Sequence, residues 1–259
     1  MEHFYTIQGE GYYQGNAAYF VRLGGCDVQC PWCDVKESWE VDAHSKFSVD
    51  EIVGWVKEAE AKLVVITGGE PSMHDLTPLT AALHAENIQV NIETAACYPM
   101  RGKFDWITIS PKRYKLPLSE NMLKAHELKM IINHRNDFRF AEEYAAQVSP
   151  QCKLYLQPEW EQEEELLPLI IEYVKEHQQW KISLQEEGHA WVHYELDKND
   201  YKHSESYFSF LFKGSSYMID VVGQDTEYTV FTRNSFRTVK IYNEEMILHE
   251  SLKAGGGLS

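Results

Sequence analysis

The segment Cys26-Asp-Val-Gln-Cys30-Pro-Trp-Cys33 gathers three thiols in eight residues and places no fourth cysteine beside them. Three thiolates on one loop make an incomplete metal site. A [4Fe–4S] cluster held by three cysteines keeps one iron open, and that iron can take a small chelating molecule instead of a protein ligand. Zinc is the competing reading, and it needs a fourth ligand such as His44 or a distant cysteine. Disulfides fit poorly. The chain has five cysteines, an odd number, and its first residues do not look like a signal peptide, so a reducing cytoplasm is the expected setting. Cys97 and Cys152 lie outside the motif and read as small buried hydrophobes.

A second candidate is Leu63-Val-Val-Ile-Thr67-Gly68-Gly69-Glu70-Pro71, a buried strand ending in two glycines, a carboxylate and a proline. Two glycines let a ligand approach the backbone closely, and Glu70 adds a charge-assisted acceptor for an ammonium group. Alone, the same tetrapeptide suits an ordinary turn. Alternating elements must position both motifs. Strand-like runs fall at 17–23, 63–67, 88–93, 104–110, 127–132, 153–157 and 180–185, most of them separated by stretches of helical period, which predicts parallel βα units. The cysteine loop then lies just beyond the carboxyl end of a first strand at 17–23, where barrel-like α/β enzymes keep their chemistry. Ser48 and Glu51 form a capping box ahead of Ile52, Trp55, Val56 and Ala59 on one face, so a helix is expected over about 49–61. Residues 161–178 read as another, with an acidic first turn that suits the helix dipole.

Composition bounds the function. The chain has 259 residues, 44% hydrophobic, and no run long enough to span a membrane, so it can bury one substantial core and a small second one. With 24 Lys and Arg against 40 Asp and Glu, the net charge of -16 argues against a surface that tracks nucleic-acid phosphates. A small molecule is the expected partner.

The C-x3-C-x2-C spacing, with Trp32 just before the last cysteine, resembles the signature of the radical S-adenosylmethionine enzymes, and Gly68-Gly69-Glu70-Pro71 resembles their adenosylmethionine-binding motif. Further pieces narrow the resemblance to the 7-carboxy-7-deazaguanine synthases of queuosine and deazapurine biosynthesis, over about residues 4–185. They are Phe4-Tyr-Thr-Ile-Gln8-Gly-Glu10-Gly11, Phe20-Val-Arg22-Leu-Gly-Gly25, Cys33-Asp34 with Lys36-Glu-Ser-Trp39, Ile92-Glu93-Thr94, Ser110-Pro-Lys112, Glu127-Leu-Lys129, Leu156-Gln-Pro158 and Ile182-Ser-Leu-Gln185. Most stand at successive strand ends.

This resemblance implies an α/β fold, an incomplete (β/α) barrel of the radical S-adenosylmethionine type. It also implies rearrangement of 6-carboxy-5,6,7,8-tetrahydropterin to 7-carboxy-7-deazaguanine with loss of ammonia. The adenosylmethionine would act as a reusable cofactor whose 5'-deoxyadenosyl radical takes hydrogen from C6 of the pterin, while the protein holds the pterin and excludes water. Cys26, Cys30 and Cys33 would hold the cluster. Gly68, Gly69, Glu70, Ser110 and Lys112 would contact adenosylmethionine. For the pterin, Glu10 and Glu127 suit its N–H groups and Arg22 its carboxylate, with Gln8, Thr94 and Gln185 completing a polar rim. Asp34 would face a Mg²⁺ ion. A homodimer and an electron donor such as flavodoxin are implied on the same ground.

Three departures stand out. Val35 follows Asp34 where many members carry a Thr or Ser that helps bind magnesium, and Val offers no oxygen. After Ser183-Leu-Gln185 the chain reads Glu186-Glu-Gly188 where the family continues Thr-His-Lys and ends soon after. Residues 186–259 then form an expected C-terminal extension apart from the catalytic 1–185, with strand-like runs at 190–196, 207–213, 217–222, 226–233 and 236–242 that read as an antiparallel meander. Residues 248–257 resemble the linker before the biotinyl domain of biotin carboxyl carrier subunits, without a Met-Lys-Met site after it. A natural appendage and a junction of two reading frames both fit this tail. Two other functions stay open: a different radical enzyme, such as a glycyl-radical activase, and an iron–sulfur-binding remnant without turnover.

Overall fold

Period-two alternation puts successive side chains of a strand on opposite faces of a sheet, and here it separates an apolar face from a polar one. The computed structural model describes residues 1–184 and, beyond them, the backbone of strands Tyr201–His203, Tyr207–Phe212, Ser215–Gln224, Glu227–Thr232 and Ser235–Lys240. Its first elements are β1 (Glu2–Ile7), β2 (Ala17–Leu23), α1 (Val49–Glu58), β3 (Leu63–Gly68), α2 (Thr77–Ala85), β4 (Gln89–Thr94) and β5 (Trp106–Ile109). Then come α3 (Ser119–Met122), β6 (Glu127–Ile132), α4 (Asp137–Ala145), β7 (Lys153–Pro158), α5 (Glu163–Glu176) and β8 (Trp180–Ile182).

Strands β1 to β8 form one sheet in sequential order, with β2–β8 parallel and β1 antiparallel to β2. The two edges, β1 and β8, do not pair, so the barrel is unclosed. Ile66, Ile92, Ile109, Leu128, Met130, Leu156 and Trp180 pack on one face against Val56, Leu83, Phe140, Leu166 and Ile170 of the helices. Each such side chain contributes about 1.5–3 kcal/mol on burial. The opposite parity carries Arg22, Asn91, Glu93, Thr108, Glu127, Lys129 and Gln157, so the inner face is polar at mid-sheet. Among the described residues no helix is long and apolar enough to cross a membrane.

Each of the seven strands expected within 17–185 forms. The strand carrying the cysteine loop, however, is second in the chain: Glu2–Ile7 forms an edge strand before it, registered from Glu2 against Arg22 to Ile7 against Ala17. Its side chains are mostly exposed and show no alternation, which hid it from a periodicity reading. The expected 104–110 strand is confined to β5, and the helix expected over 49–61 ends at Glu58, with Glu60 at a left-handed φ of 52°. Its capping box is present, Ser48 and Glu51 bonding reciprocally.

By contact density the chain divides into two compact units, Met1–His189 and Ala190–Ser259. In the second, β9 (Tyr201–His203), β10 (Tyr207–Phe212), β11 (Ser215–Gln224), β12 (Glu227–Thr232) and β13 (Ser235–Lys240) pair antiparallel in chain order. The expected strand at 190–196 and the linker-like 248–257 lie outside the described residues, as do Gln185 and His189.

Two glycines of opposite tolerance test the packing. A Cβ on Gly69 would stand 2.3 Å from the Gly25 carbonyl oxygen and 2.9 Å from Cys26 Cβ, whereas one on Gly54 in α1 meets nothing within 4 Å. Gly69→Ala is expected to cost about 1–3 kcal/mol, as overpacking does. Gly54→Ala is expected to gain up to about 1 kcal/mol from helix propensity. Urea unfolding of both variants checks the pair, and equal midpoints would contradict the close approach.

Candidate active site

The cysteine loop leaves the carboxyl end of β2 and is fixed by backbone bonds on both sides. Gly69 and Glu70 donate their amides to the Leu23 and Gly25 carbonyls at 2.9 and 2.8 Å, and Gly25 and Cys26 donate to Ser38 and Trp39 at 2.6 and 3.1 Å. The glycine pair after β3 therefore serves an approach of chain to chain. Gly68 sits at φ +144°, and a Cβ there would lie 2.3 Å from the Leu23 oxygen. His74 Nε2 lies 2.9 Å from the Gly24 carbonyl, adding a side-chain tie to the same loop.

Within the loop, Gln29 takes a left-handed φ of 50°, and burial raises the Cys26 pKa against the lowering effect of the Val28 and Gln29 backbone. Cys30 is buried with Val28, Ala95 and Cys97 in a small apolar cluster that Cys26, Trp32 and Cys33 flank. Burial pushes the Cys30 thiol up to about 11, and the Cys97 thiol up to about 12. Cys152, expected to be buried, is half-buried. Among the described residues no three His, Cys, Asp or Glu side chains converge as metal ligands. The donor set still suits an iron–sulfur cluster with one open iron: three cysteines on one loop beside an apolar wall.

Glu70 is 1% exposed and its carboxylate is spoken for by the protein itself. Oε1 accepts from the Ser72 amide at 2.9 Å, the Ser72 hydroxyl at 2.6 Å and the Thr94 hydroxyl, and Oε2 accepts from the Ala95 amide at 2.7 Å. Four bonds fill the usual capacity of a carboxylate. Glu70 thus ties β3 to the end of β4, and Thr94 belongs to that tie, its hydroxyl also accepting from the Ala96 amide. Ser110 and Lys112 stand together, the ammonium bonding the Ser110 hydroxyl and lying 5.3 Å from the Trp32 ring centre. Burial lowers the Lys112 pKa. Asp34, exposed, adds a charge that Lys112 feels.

Gln8, Glu10, Asn91, Glu93, Thr108 and Glu127 line one cavity on the inner face. Lys129, 6% exposed, bonds Glu10 and reaches Glu93 Oε2 at 3.2 Å, while Gln8 Nε2 donates to Glu93 Oε1 at 2.7 Å. Burial by itself would lower the Lys129 pKa, but Glu10 and Glu93 outweigh it and raise it. Burial likewise opposes ionisation of Glu93, yet Lys129 and Gln8 hold its carboxyl below the usual range. Burial wins at Glu127 and raises it. Glu127 Oε2 accepts from the Tyr12 amide at 3.1 Å and Trp106 Nε1 at 3.0 Å, and the Gly11 amide donates to Ser183 Oγ at 3.1 Å. The loop after β1 is thereby strapped to β6 and the end of β8, and Gly11, at φ +66°, has no room for a side chain beside Glu127. Arg22 Nε lies 2.6 Å from Glu2 Oε1 as an ion pair, without the alignment of a hydrogen bond.

The structure therefore brings Gln8, Glu10 and Glu127 together, sets Arg22 at the edge of the same face, and assigns Thr94 to the Glu70 tie. Glu93 and Lys129 received no role from the sequence. The signal for both was present: charged residues at inner-face parity inside otherwise apolar strands. Another cavity, of about 750 Å³, opens elsewhere, between Phe104, Leu123, Lys124, His126, Gln151 and Lys153, and touches none of the residues expected to bind cofactor or substrate.

The fold and the cysteine loop define a radical S-adenosylmethionine protein, and the pattern of that superfamily matches residues 20–114. The chain is 54% identical over 185 residues to the 7-carboxy-7-deazaguanine synthase of Flavobacterium psychrophilum, covering 71% of this chain and 88% of that one. It is 49% identical over 184 residues to the synthase of Synechocystis, with the same coverages. The crystal structure of QueE from Escherichia coli superposes with a TM-score of 0.63 at 33% identity, over 71% of this chain and 92% of that one. The chain belongs to the 7-carboxy-7-deazaguanine synthase family, as a radical S-adenosylmethionine enzyme of the queuosine pathway with a [4Fe–4S] cluster and S-adenosylmethionine as its cofactors.

Glu70→Gln places an amide donor opposite four donors already in place. The substitution is expected to cost about 1–3 kcal/mol in urea unfolding, the penalty of an unsatisfied buried group. An unchanged midpoint would mean that the Glu70 tie carries no stability.

Proposed function

We propose that this chain converts 6-carboxy-5,6,7,8-tetrahydropterin to 7-carboxy-7-deazaguanine with loss of ammonia, binding the pterin on the polar inner face. The observation that carries the reading is the two carboxylates Glu10 and Glu93, joined through Lys129 on the inner face of a chain closely related to known synthases. When bound, the cluster and S-adenosylmethionine supply one-electron cleavage and hydrogen-atom abstraction.

The protein's own residues do the rest. Cys26, Cys30 and Cys33 ligate the cluster. The backbone at Gly68 and Gly69, with Ser110 and Lys112, receives adenosylmethionine, and Glu70 and Thr94 hold that backbone in place. Gln8 and Glu10 accept the N–H groups of the pterin, Arg22 takes its carboxylate, and Glu127 acts by keeping Gly11 and Tyr12 over the site. Gln185 completes the rim. Asp34 is the oxygen ligand offered to a Mg²⁺ whose remaining positions are filled by water and substrate. Residues 1–185 form the catalytic unit and 186–259 an extension. The enzyme works in the cytoplasm as a homodimer and takes its electron from a flavodoxin-like donor.

Anaerobic incubation of reconstituted protein with dithionite, adenosylmethionine and the pterin tests this directly. The expected result is 7-carboxy-7-deazaguanine by mass; 5'-deoxyadenosine without that product would overturn the substrate assignment. Changing any of the three motif cysteines to Ala is expected to abolish iron–sulfur absorbance and adenosylmethionine cleavage. Arg22→Ala should raise the pterin KM by roughly 10-fold or more, as loss of a charge-assisted bond does, with cluster content unchanged. An unaltered KM would remove Arg22 from carboxylate binding.

A further inference from the structure

We infer that Lys129 is a positioning residue that keeps Glu10 and Glu93 ionised together, so that these two acids present acceptors only and select a ligand edge made of N–H donors. This deepens, and rests on, the reading that a pterin binds there. Lys129 projects from mid-β6 with its ammonium bonded to Glu10 from the loop after β1 and 3.2 Å from Glu93 Oε2 on β4. It is 6% exposed, so solvent screens the three charges weakly. Two carboxylates facing one site without a cation share a proton, because ionising both in low dielectric costs too much. A shared proton turns one acceptor into a donor, and a donor opposes the amino and ring N–H groups of an aminopyrimidine edge. The buried ammonium removes that proton without occupying the ligand side of either acid.

The other groups facing this pair are Arg22 from β2, whose charge reaches Glu93; Lys112 from the β5–α3 connection; Glu127 on β6; and Tyr155 on β7, registered opposite Lys129. Arg22 is already paired with Glu2, and Lys112 with Ser110. Neither replaces the ammonium between the two acids.

The test uses the full chain with its cluster and three variants: Lys129→Met, Lys129→Arg, and Lys129→Met combined with Glu10→Gln. In the infrared, Lys129→Met is expected to gain a protonated-carboxyl band that titrates about 1–3 pH units above an ordinary glutamate, the size of shift a lost neighbouring charge gives. The band should be absent in Lys129→Arg and removed by Glu10→Gln. Binding of 6-carboxytetrahydropterin by anaerobic equilibrium dialysis should weaken roughly 10-fold or more in Lys129→Met at pH 6, recover toward pH 9 as the shared proton leaves, and stay flat in Lys129→Arg. A purely structural lysine would give a loss independent of pH and no new band, which would overturn the inference. If Lys129→Met does not fold, Lys129→Gln carries the same test: the new band together with pterin binding that recovers toward pH 9 supports the inference, and a loss independent of pH without the band overturns it. If the wild type binds no pterin while the band appears in Lys129→Met, the substrate reading fails and the role of Lys129 stands.

Discussion

Placing one ammonium and two carboxylates inside a sheet constrains every element around them. Such a trio is tolerated only when each charge meets its partners, since an unpaired buried charge costs several kcal/mol. Lys129 on β6 must therefore face Glu93 two strands away on β4, and Glu10 must be delivered from outside the parallel strands altogether. The edge strand β1 and the loop after it do that delivery. The loop crosses the inner face and is held there by Glu127 through the Tyr12 amide and by Ser183 through the Gly11 amide. A barrel whose edge strands never pair is thus closed over its polar face by a strap.

A second constraint acts at the carboxyl ends of the strands. The cysteine loop can sit against the turn at the end of β3 only because Gly68 and Gly69 lack side chains, which lets Leu23 and Gly25 accept hydrogen bonds from the neighbouring turn. Glu70 then fastens this assembly to the end of β4 with two of its four acceptor bonds, from the Thr94 hydroxyl and the Ala95 amide. The cysteine loop and the glycine turn consequently form one hydrogen-bonded piece built on β2 and β3 and tied to β4, while the inner-face charges stand on β2, β4 and β6.

Much of this was legible in the sequence, and the exceptions have physical causes. Every parallel strand was marked by an apolar run, because the outer face of each packs on helices; α1 was marked by its capping box. The edge strand β1 escaped because a strand exposed on both faces has no period to read. Glu70 and Thr94 were expected at ligands, as acceptors beside a glycine turn usually are. Their burial could not be seen, because it depends on Ser72 and Ala95 folding back onto the carboxylate. Glu93 and Lys129 lay inside motifs already singled out, yet a charge in mid-strand acquires meaning only once its cross-strand partner is known. The meander at the C-terminal end was legible from its turn residues and its short alternating runs.

The central claim is that the inner face, organised by Lys129, is the pterin site. The most direct measurement is an anaerobic crystal structure of the cluster-loaded protein with S-adenosylmethionine and 6-carboxytetrahydropterin. The account predicts the amino edge of the pterin within hydrogen-bond distance of Glu10 and Glu93, its carboxylate toward Arg22, and Lys129 still between the two acids. Pterin density in the groove beside Phe104, Leu123 and Lys124, with the inner-face cavity unaltered, would contradict it.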